Sequence, residues 1–258
     1  DPPPLAAKLA TELTHDGVRL RAIDFVSESQ VPLRLFVMTS LKIKKPAEVI
    51  LSVLDESGWE RWCAGLGPEF AETLQVDRKL KRDDGMFAQN RAVMESQKLA
   101  YAAIAPRGIG PTRWAESGSR DDVQITRRFT LLGQTVDGQR VWDVRRAIAA
   151  LAAQEDLKSA QLILHGEHDA AGIALYAGLF EPRVAAFDLW HLPPSHRQGP
   201  VFLNVLKVLD TPQAVALASP RKVTLHVKSG ADEQAWAWSR QLQKSLGRSD
   251  LVIKVVGE

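Results

Sequence analysis

The chain has 258 residues, of which 45% are hydrophobic and 25% are charged, with 33 basic against 31 acidic side chains. These proportions exclude collagen-like, disordered and coiled-coil proteins and are typical of a globular protein. The formal net charge of +2 excludes a strongly basic protein. The main basic run, Arg78 to Arg82, is flanked by acids, so it predicts a solvated face and no nucleic-acid partner.

Cysteine content and apolar run length exclude two further classes. Cys63 is the only cysteine, which excludes an internal disulfide and a thiolate zinc cluster. The sequence contains no run of about 18 apolar residues, so we expect no membrane-spanning segment and no membrane partner. The chain opens without Met or a signal peptide and stops abruptly at Glu258. We therefore expect a processed chain, or a piece of a longer polypeptide that makes an intramolecular contact with a companion domain.

The first part of the chain predicts a connector followed by strands. Residues 1–16, with their Pro-rich opening, predict a connector and a short helix. Runs rich in β-branched residues predict strands at Val31–Thr39 and Val49–Leu54, separated by a turn at Lys45–Pro46. Leu99–Ala105 is a short apolar run that ends before Pro-Arg-Gly, which indicates a buried strand entering a loop.

The second part predicts helices that alternate with strands. Asp137–Ala153 carries apolar residues at three- and four-residue steps, which predicts a helix with one buried face and with Arg145 and Arg146 exposed. Its apolar positions are Val141, Val144, Ile148 and Leu151. The remaining elements continue the alternation, with strands at Gln161–His165, Val184–Trp190, Lys222–Val227 and Leu251–Val256, and helices at Ala170–Phe180 and over "EQAWAWSRQLQKSL".

This alternation predicts βαβ crossovers, and so a single α/β domain with a largely parallel sheet covered on both faces. The loops at the carboxyl ends of the strands carry function in such a sheet.

The loop after Ala105 reads "PRGIGPTRW" and places Arg107 beside two glycines. This spacing is a weak phosphate-binding signal, because neither GxGxxG nor Gly-Lys-Ser/Thr completes it. A turn with a buried Arg salt bridge is the alternative.

The loop after Leu164 reads "HGEHDAAGIALYAG", in which a strand, a glycine turn and a helix of small residues follow one another. This order is typical of a nucleophile elbow, where a G-x-S-x-G motif raises a serine above the sheet. His168 occupies the serine position. A metal site and a turn with locally satisfied polar groups are the alternatives. The candidate ligands are His165, Glu167, His168 and Asp169, but the single cysteine excludes the zinc-deaminase signature and the spacing is not His-Glu-x-x-His.

Three further groups of candidates lie at strand ends. "DLWHLPPSHRQGP" carries His191, Ser195 and His196, which fit either catalysis or structural hydrogen bonding within a long loop. "KSGADEQAW" carries Asp232 and Glu233, which fit either a catalytic acid or a helix N-cap. Two tryptophans, at positions 59 and 190, fit either saccharide stacking or packing.

The chain resembles the α/β-hydrolase superfamily, and within it bacterial acetylxylan and glucuronoyl esterases. The resemblance lies in the order of four pieces, which are "APRGIGPT", "LLGQTVDGQRVWDVRRAIAAL", "LILHGEHDAAGIALYAGLFEPRVAAFDLW" and "VLDTPQAVALASPRKVTLHV". It implies a three-layer α/β-hydrolase-like sandwich with a mostly parallel central sheet over residues 30–258. Residues 1–29 are then an N-terminal connector and first strand region.

The resemblance also implies a Ser-His-acid triad, from which this sequence departs. His168 stands where the family has its serine, and its acyl adduct would be a reactive acyl-imidazole. The acid position maps to Asp232 or Glu233, but the chain stops at Glu258 before a base histidine. Asp169 stands where glucuronoyl esterases have an arginine, and a carboxylate there would repel an oxyanion.

We therefore expect a carbohydrate-esterase-like domain that is catalytically degenerate, with a structural role or a saccharide- or partner-binding role. The alternative is an active carboxylic-ester hydrolase with Ser195 as nucleophile, His191 or His168 as base and Asp232 as orienting acid. The third hypothesis is a metal enzyme built on residues 165–169. We expect neither a cofactor nor a metal in the favoured case. By resemblance to secreted bacterial esterases, we expect export to the periplasm or beyond the cell. The candidate binding residues are Arg107, Trp59, Trp190 and His196.

Overall fold

The structure, a computed structural model, describes residues 2–77 and 79–257. The chain divides into two compact units, which are described separately. Unit 1 comprises residues 1–114 and 146–162, and unit 2 comprises residues 115–145 and 163–258. The predicted boundary between residues 29 and 30 is not tested by this division and stays a prediction. Arg78 of the basic run lies outside the described residues, whereas Arg82 pairs with Asp84 at 2.6 Å.

Strands and helices alternate along most of the chain. The strands are β1 (Lys8–His15), β2 (Val18–Glu28), β3 (Val31–Ser40), β4 (Glu48–Val53), β5 (Leu99–Ile104), β6 (Gln161–Glu167), β7 (Val184–Trp190), β8 (Lys222–Val227) and β9 (Leu251–Val255). The helices are α1 (Glu56–Leu66), α2 (Ala71–Leu74), α3 (Asp84–Gln97), α4 (Arg120–Leu131), α5 (Val136–Ala152), α6 (His168–Leu179), α7 (Thr211–Leu217), α8 (Gly230–Gln234) and α9 (Ala237–Ser245).

The N-terminal segment forms a β-hairpin, so the helix predicted within residues 1–16 is wrong. β1 pairs antiparallel with β2 and the two meet at His15 and Val18. The connecting residues Asp16 and Gly17 both have positive φ, 46° and 76°, as a two-residue hairpin turn requires. The Asp-Gly pair is a strong hairpin signal, and the Thr-rich run before it favours a strand over a helix.

The sheet of unit 1 changes direction part-way across. Its order is β1-β2-β3-β5-β4, with antiparallel pairs as far as β5 and a parallel β4–β5 pair. Side chains from β2, β3 and β5 pack with side chains from α1, α2 and α3 in a hydrophobic core. Phe36, Phe70 and Met94 in this core are at most 2% exposed, so their burial contributes strongly to stability.

The strands of unit 2 are joined by helical crossovers. They lie in the order β6-β7-β8-β9, and the β7–β8 and β8–β9 pairs are parallel. α6 connects β6 to β7 and consists largely of Ala, Gly and Leu. A Cβ added to Gly178 would lie 2.3 Å from Phe187 Cε1, so glycine lets this helix approach its strand. These crossovers are what the alternating sequence pattern predicted.

The C-terminal helix predicted as one element consists of two. α8 and α9 flank Trp236, whose backbone leaves the helical conformation at φ −97° and ψ 7°. The indole of Trp236 is 1% exposed. Burial of this large side chain therefore outweighs the propensity of the segment to continue as a single helix.

Three of the four predicted apolar residues of α5 are buried, Val141 is half-buried, and the arginines predicted as exposed are not. Val144, Ile148 and Leu151 are each at most 2% exposed. Arg145 is half-buried and pairs with Glu181 at 2.8 Å. Arg146 donates hydrogen bonds to the carbonyls of Val26 and Pro3. The helical period marks the apolar face, whereas the guanidinium partners come from distant segments that periodicity does not reveal.

Truncation of the α5 face tests this packing. We expect Ile148→Ala to lower the free energy of unfolding by about 2–5 kcal/mol, because it removes buried methylenes and leaves a cavity. Ala149→Ser, at the neighbouring exposed position, is the control and should change stability by less than about 0.5 kcal/mol. Urea unfolding measures both values. Equal effects of the two substitutions would contradict the burial of Ile148.

Candidate functional site

The turn between β6 and α6 has the geometry of an elbow. Glu167 is still extended, at φ −125° and ψ 146°, and His168, the next residue, has φ 51°. A Cβ on Gly166 would lie 2.7 Å from the carbonyl oxygen of Ala170, so only glycine permits so tight a turn. The strand therefore passes into the helix within one residue, and His168 is the exposed residue at the bend. Elbow turns of this kind present one side chain above the sheet.

Asp188, the fifth residue of β7, connects three polar side chains. Its Oδ1 accepts a hydrogen bond from His226 Nε2 at 2.8 Å. Its Oδ2 accepts one from Trp190 Nε1 at 3.2 Å and lies 3.4 Å from His165 Nδ1. These groups belong to β6, β7 and β8, so the carboxylate links three strands near their carboxyl ends.

His226 lies in a fixed orientation beneath Trp190. The two rings are stacked, with centroids 4.0 Å apart and planes 6° apart, and the β7–β8 register places the two residues opposite each other. His226 is 7% exposed, and its Nδ1 has no hydrogen-bond partner within the described part of the chain. Because Nε2 donates to Asp188, Nδ1 carries the lone pair when the ring is neutral.

His168 and His191 form a second ring pair at the same strand ends. Their centroids are 5.2 Å apart and their planes differ by 26°. His191 directly follows β7 with φ 50°, and its backbone N–H donates to the carbonyl of His226 at 2.8 Å. Neither ring nitrogen of His191 has a partner in the described residues. Burial lowers the pKa of His191, and the nearby charges of His168 and Lys228 lower it further.

Ser195 and His196 have structural partners in the long loop after β7. Ser195 Oγ donates to Asp210 Oδ2 at 2.7 Å, and no hydrogen bond joins it to His168 or His191 among the described residues. His196 Nδ1 donates to the carbonyl of Pro200 at 2.8 Å. Its Nε2 accepts from the hydroxyl of Tyr176 at 2.7 Å, a hydroxyl whose pKa burial raises. Ser195 and His196 therefore fit the alternative of structural hydrogen bonding.

Asp210 holds that loop at the start of α7. Burial by itself would raise the pKa of Asp210, but hydrogen bonds from Ser195 Oγ and from the N–H groups of His196 and Thr211 lower it. The same carboxylate caps α7 together with Gln213 in a capping box. Because the folded pKa is depressed, this contribution to stability is lost as the pH falls through the folded pKa.

The two predicted acids lie in the short helix α8. Asp232 accepts a hydrogen bond from Ser229 Oγ at 2.7 Å, and its own N–H donates back to Ser229 Oγ at 3.3 Å. Glu233 pairs with Arg240. Ser229 is the N-cap of α8, so the local geometry is that of a capped helix start, with both acids in its first turn.

Two predicted binding residues lie in unit 1. Arg107 is 6% exposed and pairs with Glu28 at 2.8 Å, which is the buried salt bridge that the loop sequence predicted. Trp59 is 6% exposed and packs on Phe36 with centroids 5.5 Å apart. It also packs against Gly110, where a Cβ would lie 2.8 Å from the indole. These are contacts of core side chains.

A metal centre and a membrane-spanning helix both lack support in the described residues. No cluster of three or more His, Cys, Asp and Glu residues is placed to hold a metal ion there, so the cluster at residues 165–169 is an elbow turn without the arrangement of a metal centre. No helix in the part of the chain that the structure describes has both the length and the apolar content needed to cross a bilayer.

The structure is similar to several solved esterases. A candidate acetyl xylan esterase from Bacteroides fragilis gives a TM-score of 0.70 at 18% identity, covering 99% of this chain and 70% of that one. A glucuronoyl esterase from Solibacter usitatus gives 0.68 at 13% identity, over 100% and 82% of the two chains. An acetyl xylan esterase from Paenibacillus sp. R4 gives 0.59 at 13%, over 99% and 83%. No protein-family model and no curated protein matches the sequence.

The chain has the α/β-hydrolase fold. The predicted fold class and the predicted resemblance to acetylxylan and glucuronoyl esterases are confirmed. At these identities the similarity establishes the fold and leaves activity open. That the turn at Gly166 corresponds to the nucleophile turn of this fold stays a prediction. The role of His168 as a replacement for that nucleophile stays a prediction.

Sequence reasoning missed the part that His226 plays in this hydrolase-fold site. His226 lies in a predicted strand and belongs to no motif, so its contact with Asp188 has no local signal. The signal that exists is positional, since His165, Asp188 and His226 all lie near the carboxyl ends of predicted strands. Aligning those ends, as parallel strands align in a sheet, would have brought the three residues together.

The pKa of His191 tests the described pairing of its ring with His168. We expect His191 to titrate below the ordinary value of about 6.5, because its ring is buried and lies beside His168. His168→Gln should raise the pKa of His191, since it removes a positive neighbour, whereas His15→Gln in unit 1 should leave it unchanged. Ring-proton NMR shifts against pH measure both effects.

The lowered pKa of His191 also predicts how stability depends on pH. Because the folded pKa of His191 is lowered, the unfolded chain binds more protons below pH 6.5, so this contribution to stability is lost as the pH falls toward the folded pKa. A His191 pKa at or above the ordinary value would contradict the described pair.

Proposed function

We propose that this chain is a carbohydrate-esterase-like domain that binds a saccharide without hydrolysing esters by a Ser-His-acid mechanism. The observation that carries this proposal is the identity of the side chain at the elbow. The bend after β6 has a positive φ at residue 168 and a glycine that no other residue can replace. An imidazole occupies the place from which a hydroxyl would attack.

The chemistry of the elbow supports a loss of catalysis. An acyl group transferred to His168 would form an acyl-imidazole, and a general base would still be needed to direct water to it. The neighbouring His191 is stacked on His168, and no hydrogen bond joins the two rings among the described residues. Asp169 follows at the start of α6, where its negative charge opposes a developing oxyanion.

The alternative nucleophile has less support. A serine becomes nucleophilic when a histidine accepts its proton, whereas the Ser195 hydroxyl donates to the carboxylate of Asp210 at 2.7 Å. Asp210 also caps α7 and binds two backbone N–H groups. Movement of Ser195 toward a histidine would break this network, which fixes the loop in place.

The aromatic groups at the strand ends favour a saccharide as ligand. Trp190 is half-buried, and its indole is fixed by the hydrogen bond to Asp188 and by stacking on His226. His168 is exposed beside His191. Rigid aromatic faces next to polar hydrogen-bonding groups suit sugars, which present both C–H faces and hydroxyl edges. The solved structures that share the fold are described as acetyl xylan and glucuronoyl esterases, which adds support for this ligand class.

Ester hydrolysis tests the catalytic part of the proposal. We expect no saturable hydrolysis of p-nitrophenyl acetate or acetylated xylan, because loss of triad members costs about 10⁴ to 10⁶ in kcat. Exposed imidazoles cleave the activated ester slowly without saturation, and His15→Gln controls for that background. Ser195→Ala and His168→Gln should leave any residual rate at that background level. Saturable turnover that disappears in Ser195→Ala would contradict the proposal and support an active esterase.

Saccharide affinity tests the binding part. We expect xylo-oligosaccharides to bind, and Trp190→Ala to weaken binding about two- to tenfold, because stacking on one aromatic ring contributes roughly 0.5–1.5 kcal/mol. Trp238→Ala, at an exposed tryptophan in α9, is the matched control and should leave the affinity unchanged. Isothermal titration calorimetry measures both. Absence of binding, or equal losses in the two variants, would contradict a saccharide site at Trp190.

A further inference from the structure

Unit 1 contains a basic pocket at one end of its antiparallel strands. Arg19 and Arg21 are two residues apart on β2, so their side chains lie on the same face of the sheet. The end of β3 and the turn after it contribute Leu41, Ile43 and Lys44, and Asp156 completes the wall. The cavity measures about 340 Å³, which falls in the range of small-molecule sites. We refer to this cavity as the β2 pocket.

Two guanidinium groups in the β2 pocket share one carboxylate. Arg21 donates to both oxygens of Asp156, at 3.1 and 2.8 Å. Arg19 approaches the same Oδ2 at 3.7 Å, and its Nε donates to Thr39 Oγ1 at 3.4 Å. The Nε of Arg21 is buried and has no acceptor within the described residues. One negative charge is thus set against two positive charges.

The other charged side chains around the β2 pocket do not neutralise its excess positive charge. Lys44 is exposed, and it forms no ion pair with any described residue. Glu12 lies opposite Arg21 on β1, but it is exposed and does not line the cavity. Glu95 pairs with Lys42 at 2.7 Å and accepts from Ser40 Oγ. The lining therefore carries three positive charges and one negative charge.

We propose that the β2 pocket binds the dianionic head of a small phosphate monoester. Guanidinium groups bind tetrahedral oxyanions through parallel N–H···O bonds, and Arg19 is half-exposed with donors that Asp156 does not saturate. A dianion matches the two excess positive charges. Leu41, which is 54% exposed, and Ile43 provide an apolar wall on which the organic part of an ester packs.

Calorimetric titration of the full chain with three probes tests the proposal. Inorganic phosphate supplies the head group alone, inorganic sulfate is a tetrahedral dianion of similar size, and phenyl phosphate adds an apolar ring. We expect a Kd on the order of 1 mM for an inorganic dianion, and tighter binding of phenyl phosphate because its ring contacts Leu41 and Ile43. Added salt should weaken binding, since the pocket is open to screening. Binding of phosphate and phenyl phosphate supports a phosphate ester, whereas binding of sulfate without either of these two would overturn the proposal.

Matched variants separate the pocket from long-range attraction. Arg19→Gln and Lys44→Gln should each weaken phenyl phosphate binding about tenfold, while their melting temperatures report whether folding is intact. Lys45→Gln removes the same charge from the next residue in the turn, which does not line the pocket, so its Kd should stay unchanged. No binding of any probe would overturn the proposal. Equal losses in Lys44→Gln and Lys45→Gln would also overturn it, as would phenyl phosphate binding that is no tighter than phosphate.

Discussion

The close approach of α6 to the end of β6 determines the geometry of the candidate site. A β-carbon at Gly166 would meet the backbone of Ala170 at 2.7 Å, so the strand and the helix are connected by a turn that excludes every side chain at that residue. The chain reaches the helix in one step only if residue 168 adopts positive φ, and that step places the His168 side chain outside the turn. Such a turn fixes where residue 168 lies, but it does not require a particular side chain at that residue. It therefore accepts the imidazole of His168.

The polar groups around this turn are held by the parallel strands of unit 2. Because parallel strands end on the same side of a sheet, β6 and β8 bring His165 and His226 within reach of the Asp188 carboxylate on β7. Trp190 covers this group by stacking on His226. The result is a rigid aromatic and carboxylate cluster, whose fixed orientation suits recognition of a ligand.

Unit 1 contains a place where two like charges lie side by side on one strand. The alternation of side chains along β2 puts Arg19 and Arg21 on one face, and Asp156 neutralises only one of the two charges. Elsewhere in the same unit, the guanidinium groups of Arg34 and Arg107 each have a carboxylate partner at 2.7–2.8 Å. The unbalanced pair therefore distinguishes the β2 pocket from the ion pairs that stabilise the fold.

Local signals in the sequence determined most of the secondary structure. The strands at Val184–Trp190 and Lys222–Val227 have their predicted bounds, because β-branched and apolar runs between turn residues have few other stable conformations. The sequence also predicted the apolar face of α5 and the turn at Gly166. Both depend on patterns of a few adjacent residues, namely the helical period and a glycine between a strand and a helix. The hairpin at Asp16–Gly17 was readable too, although the connector prediction overlooked its turn signal.

Only the tertiary structure decided which polar side chains meet. Ser195 pairs with Asp210 across 15 residues, His226 with Asp188 across 38, and Arg21 with Asp156 across 135. Such partners depend on strand order and on loop paths, which a linear pattern does not specify. The sequence alone therefore determined the fold class and the side chain at the elbow. The network that holds the neighbouring histidines, and the excess charge of the β2 pocket, exist only because folding brings distant segments together.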